Sequence, residues 1–136
     1  MSYTIAMPRP PSDEERTLLA AFIDAHQRND VAASVAMMCE DIRVTMPPLP
    51  LCFDGRDAIV PLLTRGLTSG MGTWRLVPAW ANRQPAAVSY LRAPGASVFR
   101  AFKIDVLRFA GAQVKEITTF DLSLLAAFGL PETLDP

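Results

Sequence analysis

The chain has 136 residues, with 13 Lys and Arg against 14 Asp and Glu; half of its residues are apolar and a fifth are charged. This length allows one hydrophobic core rather than two, and the composition excludes a disordered chain. A formal net charge of -1 leaves no excess of cations to hold a phosphate backbone, so we expect no direct nucleic-acid binding.

Residues 1–11 are rich in proline and are predicted to form a linker, followed by a single domain at residues 12–134. No segment resembles a signal peptide or a membrane span, which needs roughly 18 apolar residues. His26 is the only histidine, and Cys39 and Cys52 lack the spacing of a zinc site. We therefore expect a cytoplasmic protein with free thiols, no metal, no cofactor and no membrane contact.

Two amphipathic helices are predicted first, because apolar residues recur at 3.6-residue spacing between residues 14 and 28 and again between 31 and 39. Asp30 is a suitable cap for the second helix. A strand at residues 42–46 follows, in which apolar and polar residues alternate. A third helix is predicted to begin near Arg56.

After a glycine-rich loop at residues 68–73, the hydrophobic period changes to two, which predicts four strands. Short turns at residues 82–85, 93–95 and 110–111 separate them, so we expect antiparallel pairing. A short helix at residues 122–128, closed by Gly129, ends the predicted elements. The four strands are the segments TWRLVPAW, PAAVSYL, SVFRAFKIDVLRF and QVKEITTFD.

Helices gathered at the start of the chain and long strands after them predict an α+β fold, with a curved antiparallel sheet wrapped on three N-terminal helices. The strands carry apolar residues at both parities, as with Val77 and Ala79 opposite Leu76 and Trp80. A sheet with two apolar faces needs a second cover, which predicts a homodimer through the convex face.

The order of these elements, with MPPLPLCFDGRDAI before the third helix, resembles the cone-shaped fold of nuclear transport factor 2-like (NTF2-like) proteins, in the SnoaL-like branch. The segments MPPLP, GRDAI, WRLVPAWANRQPA, EITTF and FGLP are similar to the C-terminal tail domain of certain extracytoplasmic-function sigma factors. The leading PRPPSDEE resembles the linker before such a tail. Because 136 residues leave no room for promoter-binding sigma regions, we expect an excised tail or a stand-alone relative.

The resemblance implies an apolar pocket between the concave sheet face and the helices. Ketosteroid isomerases of this fold would need a tyrosine and an acidic base where this chain has Phe22 and Met46, which cannot move protons. Limonene-epoxide hydrolases would need an Arg-x-Asp motif, which is absent from residues 86–92, and an aspartate where Thr118 stands. Neither of these two catalytic arrangements is therefore expected in this chain.

His26 and Asp121 are the remaining candidates for a catalytic base, although a core histidine and a helix cap are the competing structural interpretations. Lys103 and Asp105 share one strand face, which lines the pocket only if it is the concave face. Residues predicted to line the ligand pocket are Phe22, Met38, Met46, Trp80, Tyr90, Arg100 and Phe102.

Two functions remain open. The first is a binding and regulatory domain whose pocket accepts a small apolar ligand or docks the core domains of a sigma factor. The alternative is a cofactor-independent polyketide cyclase, epoxide hydrolase or isomerase, with His26 or Asp121 as base and Tyr90 or Arg100 orienting the substrate.

Overall fold

The computed structural model describes residues 12–68, 70–81 and 84–135; the predicted linker at 1–11 and Asn82 and Arg83 of the predicted turn lie outside them. Helix α1 spans Asp13–Gln27 and begins at a capping box, in which the Ser12 hydroxyl accepts a hydrogen bond from the Glu15 backbone N–H at 3.0 Å. No helix in the described ranges is long and apolar enough to cross a membrane.

Helix α2 is shorter than predicted. It spans Val31–Ala36 and begins at Asp30, whose carboxylate accepts a hydrogen bond from the Ala33 backbone N–H at 3.0 Å. The predicted continuation to residue 39 is wrong, because Met38 already begins the first strand. Helix α3 spans Arg56–Thr68, close to the prediction.

In the part of the chain that the structure describes, seven strands form one curved, mixed sheet that packs on the helices, which confirms the predicted α+β cone. The spatial order is β2-β1-β6-β5-β4-β3, with β7 paired to the start of β5. The strands are β1 Met38–Thr45, β2 Cys52–Asp54, β3 Thr73–Ala81, β4 Gln84–Arg92, β5 Phe99–Ala110, β6 Gln113–Phe120 and β7 Thr133–Leu134.

Two details of the sheet differ from the sequence prediction. Strands β2 and β7, of three and two residues, were not predicted, because so few residues show no alternation of apolar and polar side chains. The pairing of β1 with β6 is parallel. The antiparallel pairing predicted for β3 to β6 is confirmed, and the short strands β2 and β7 also pair antiparallel.

Each face of the sheet has its own hydrophobic core. The face toward the helices carries a cluster that includes Phe22, Ile42 and Leu107. The opposite face carries a second cluster around Tyr90 and Ile104, which the chain covers with its own C-terminal segment. The residues from that segment are Leu125, Phe128, Leu130 and Leu134.

The C-terminal segment, defined here as residues 122–134, begins with a short 3₁₀ helix, Leu122–Phe128. Gly129 follows it with a φ of 68°, the left-handed conformation that glycine adopts most readily, so the predicted helix and its end are confirmed. The Tyr90 hydroxyl donates to the carbonyl oxygen of Pro131 at 2.7 Å. The Ala101 N–H donates to the carbonyl of Glu132 at 2.8 Å.

This covering segment removes the reason for which the sequence predicted a homodimer. Val77 and Ala79, which form one of the two apolar parities noted in β3, pack against the second cluster. The cover that such a face requires is thus supplied within the chain. Cys39 and Cys52 are both free, with Cys52 exposed.

Candidate functional site

A cavity of about 500 Å³ lies between the helices and the sheet face that packs on them. Most of its wall is apolar. Phe22 contributes from α1, Met38 and Val44 from β1, and Trp74 and Leu76 from β3, while Ile59, Leu62 and Leu63 contribute from α3. Met46, which directly follows β1, completes this part of the wall. Four of the predicted pocket residues therefore line this cavity, namely Phe22, Met38, Met46 and Phe102.

Exposed apolar side chains mark the mouth of the cavity. Leu49, Met71 and Phe102 all line the cavity and are 59%, 37% and 45% exposed. The ring of Phe102 stands edge-on to that of Trp74, with centroids 5.2 Å apart. Large apolar side chains with this exposure, grouped around one opening, are typical of a binding surface.

The sheet supplies a polar floor from three adjacent strands. Ser89 on β4 pairs in register with Lys103 on β5, and Asp105 on β5 pairs with Thr119 on β6. All four residues line the cavity. The Lys103 ammonium lies 3.2 Å from one carboxylate oxygen of Asp105, and the Thr119 hydroxyl donates to the other at 2.7 Å. Asp105 is 2% exposed, so its buried charge is compensated by both neighbours.

A β-bulge in β5 decides which side chains reach this floor. Ser89 pairs with Lys103 and Tyr90 pairs with Ala101, so Phe102 has no partner on β4. The extra residue places Phe102 and Lys103 on the same side of the sheet, where both line the cavity. A regular strand would have sent one of them to the opposite face.

His26 reaches the cavity from α1 and is 5% exposed. Its Nδ1 lies 3.0 Å from the carbonyl oxygen of Phe22, which can only accept, so Nδ1 carries a proton. Burial and the nearby Lys103 ammonium lower the pKa of His26 from 6.5 to about 4, against the opposing effect of Asp105. The imidazole is therefore neutral at pH 7 and a weak base.

Asp121 lines the cavity where β6 ends and is itself exposed. It is the N-cap of the 3₁₀ helix, with Oδ1 accepting from the Ser123 backbone N–H at 2.9 Å. Hydrogen bonding to Ser123 holds the pKa of Asp121 below its usual value. The structural interpretation of this residue, a helix cap, is thus confirmed.

Three of the predicted pocket residues lie elsewhere. Tyr90 faces the second hydrophobic cluster, because Ser89 and not Tyr90 points to the cavity from β4. Trp80 lines a separate groove between α1 and the end of β3. Arg100 is exposed near the start of β5, outside the cavity lining. Their predicted positions in the pocket are wrong.

Ser89 and Thr119 were not predicted as site residues. Strand β4 is apolar at both parities, so its alternation does not show which face is concave, and Ser89 was overlooked. For Ser89 the signal is a lone polar residue in the apolar interior of β4. Strand β6 contains several polar residues, so its sequence gives no such signal for Thr119. The prediction that Lys103 and Asp105 line the pocket depended on which face of β5 is concave. The structure places both residues in the cavity lining.

The fold is that of NTF2-like proteins. An NTF2-like protein of unknown function from Mesorhizobium loti aligns over 84% of this chain and 95% of its own, with a TM-score of 0.67 and 18% identity. An NTF2-like protein from Burkholderia xenovorans aligns over 80% and 83%, with a TM-score of 0.64 and 15% identity. A candidate ketosteroid isomerase from Kribbella flavida aligns over 92% and 83%, with a TM-score of 0.62 and 18% identity.

In sequence, the chain is similar to the C-terminal part of the ECF RNA polymerase sigma factor SigG of Mycobacterium tuberculosis, with 35% identity over 127 residues. The match covers 92% of this chain and 34% of SigG, so the chain spans about a third of that relative's length. No protein-family model matches the chain. The predicted resemblance to the tail of an extracytoplasmic-function sigma factor is confirmed.

Proposed function

We propose that this domain binds a small, mainly apolar molecule in its cavity and acts as a regulatory domain of the kind found at the C-terminus of extracytoplasmic-function sigma factors. The observation that carries the proposal is the cavity itself. Its volume of about 500 Å³ lies within the roughly 300–1,000 Å³ range of small-molecule sites. An apolar wall with a few convergent polar groups is the usual composition of such sites.

The similarity to SigG supports the regulatory part of the proposal. It extends over 92% of the chain, so it includes the elements that build the cavity. The exposed apolar side chains at the mouth, Leu49, Met71 and Phe102, offer a surface on which sigma-factor core domains would dock. Ligand in the cavity would then change the same surface that the core domains contact, in the cytoplasm where transcription takes place.

The enzymatic alternative has less support because both candidate bases are weak. The pKa of His26 is about 4, and hydrogen bonds from Ser123 lower the pKa of Asp121. General base catalysis is most effective when the pKa of the base lies near the working pH. Phe22 and Met46, at the positions where isomerases of this fold would need polar groups, lie in the apolar wall.

Replacing the matching C-terminal part of SigG with this chain tests the regulatory role. Transcription by RNA polymerase carrying the hybrid sigma factor is measured with the chain intact, with the chain deleted and with Leu49→Ser at the mouth. The proposal predicts that deletion changes promoter activity and that Leu49→Ser shifts activity in the same direction. The exposed substitution Ala96→Ser, in the β4–β5 turn, is the control and should leave activity unchanged. Equal transcription from all four forms would reject the regulatory role.

A further inference from the structure

The polar floor of the cavity has hydrogen-bonding capacity that the protein itself does not use. Ser89 is 1% exposed and lines the cavity, and its hydroxyl makes no hydrogen bond to another residue in the described part of the chain. Among the described residues, Trp80 Nε1 is the one buried side-chain nitrogen or oxygen without a hydrogen-bond partner, so the Ser89 hydroxyl is not sealed in the protein but reaches the open space of the cavity. It is therefore available to a polar group of a molecule that fills the cavity.

His26 provides a second unused group, of defined character. Because Nδ1 carries its proton toward the Phe22 carbonyl, the other ring nitrogen, Nε2, is unprotonated in the neutral imidazole. Nε2 has no hydrogen-bond partner among residues 12–68, 70–81 and 84–135. An unprotonated ring nitrogen can only accept, so His26 can take a hydrogen bond from a donor group of a ligand in the cavity.

Lys103 provides donors beside Ser89. Its ammonium has three N–H groups, and Asp105 is its recorded ion-pair partner. Ser89 and Lys103 are directly opposite on adjacent strands, a position that places Cβ atoms about 4.5–5.5 Å apart. The two side chains therefore leave the sheet side by side on the cavity face, where each offers a hydrogen-bond donor.

The charges of the floor exclude an anionic ligand. Asp105 is buried, and Lys103 already compensates its charge. A ligand carboxylate would add a second negative charge to an apolar cavity with no further cation among its lining residues in the described chain. Burying a charge without a partner is costly, so a neutral group is favoured.

We propose that the cavity recognises a neutral hydroxyl group, such as that of a phenol or an alcohol, carried on an apolar body. The ligand oxygen accepts from Ser89 or Lys103, and its hydrogen is donated to His26 Nε2. This inference rests on the proposed function, since it requires that the cavity binds a small molecule. It adds the chemical class of the ligand and the three side chains that select it.

Three probes with the same ring system test the inference at pH 7: 2-naphthol, 2-methylnaphthalene and 2-naphthoate. They present a neutral hydroxyl, a methyl group of similar size and a carboxylate at one position. Dissociation constants are measured by calorimetry. We expect 2-naphthol to bind about tenfold more tightly than 2-methylnaphthalene, since tenfold corresponds to about 1.4 kcal/mol, within the range of one or two hydrogen bonds. The carboxylate should bind the most weakly.

The variant Ser89→Ala removes one hydroxyl from the floor, and Ser97→Ala removes one from the exposed β4–β5 turn. Ser89→Ala should weaken 2-naphthol binding about fivefold and leave 2-methylnaphthalene unchanged, whereas Ser97→Ala should alter neither. His26→Phe should also remove the preference for 2-naphthol, and circular dichroism confirms that each variant is folded.

The outcomes separate the two proposals. Equal binding of 2-naphthol and 2-methylnaphthalene, unaffected by Ser89→Ala, would overturn the hydroxyl inference and leave the proposed cavity function intact. Tightest binding of 2-naphthoate would overturn it as well. If none of the three probes binds, the proposed ligand-binding function fails and the hydroxyl inference fails with it.

Discussion

Lys103 and Asp105 form an ion pair inside the apolar cavity, with 3.2 Å between the ammonium nitrogen and a carboxylate oxygen. The two residues are separated by one position on β5, so both project from the same face of the sheet. Asp105 is 2% exposed at its side chain and Lys103 is 33% exposed. The lysine thus extends from a buried carboxylate to the open part of the cavity. Removing the lysine alone and removing both charges should therefore have different effects on stability.

Lys103→Met should destabilise the protein by about 3 kcal/mol at pH 7, because it leaves the Asp105 carboxylate buried without its cation. The double variant Lys103→Met with Asp105→Asn removes both charges and keeps an acceptor for Thr119, so it should lie within about 1 kcal/mol of the wild type. Urea unfolding measures both. A single variant no less stable than the double variant would show that the ion pair does not compensate the buried charge.

Tyr90→Phe should lower the free energy of unfolding by about 1 kcal/mol, since it removes the hydrogen bond to the Pro131 carbonyl and keeps the buried ring. The loss should be local to the C-terminal segment. Hydrogen exchange of the Ala101 amide, which donates to Glu132, should accelerate more than that of core strand amides. Uniform acceleration across the sheet would contradict a local role.

His26 should make the protein less stable as the pH falls from 6.5 to about 4. Its folded-state pKa, about 4, lies below the unfolded value of 6.5, so the unfolded chain binds the proton first. The groups that face the ring are Lys103, which lowers the pKa of His26, and Asp105, which raises it. The expected loss from this residue is about 3 kcal/mol between pH 7 and pH 4.

The variant His26→Gln isolates this contribution from other titrating groups. The unfolding free energy of the wild type minus that of the variant should fall as the pH falls through this window. The reason is that only the wild type contains a histidine whose protonation favours the unfolded chain. Urea unfolding at a series of pH values provides the measurement. A difference that stays constant from pH 7 to pH 4 would show that His26 is not held neutral by burial.

The main elements could be predicted from the sequence because they are long enough to show their periodicity. Apolar residues repeat along α1 and α3, and β3 to β6 each have at least eight residues. The second helix was extended too far because Met38 and Cys39 continue the apolar pattern of α2 although they already belong to β1. The local pattern of apolar residues does not show that Met38 pairs with Val114, a residue far away in the sequence.

The site was predicted less completely, and the reason lies in two strands. Strand β4 is buried on both faces, so its sequence does not show which alternate residues point to the concave face of the sheet. Tyr90 was therefore predicted to line the cavity, whereas its neighbour Ser89 does so. In β5 the bulge at Phe102 changes the parity within one strand. A bulge follows from pairing in three dimensions, which alternation along the sequence does not reveal.

Filling the cavity from Gly66 tests the central claim most directly. Gly66 lies on α3 and lines the cavity, and a Cβ added there meets no atom within 4 Å, so a larger side chain enters open space. The control Gly66→Ala should stabilise the protein by about 1 kcal/mol through helix propensity and keep the cavity open. The measurement is calorimetric binding of 2-methylnaphthalene and 2-naphthol to wild type, Gly66→Ala and Gly66→Phe. The account predicts binding to the first two and loss of binding to a folded Gly66→Phe; undiminished binding to Gly66→Phe would contradict it.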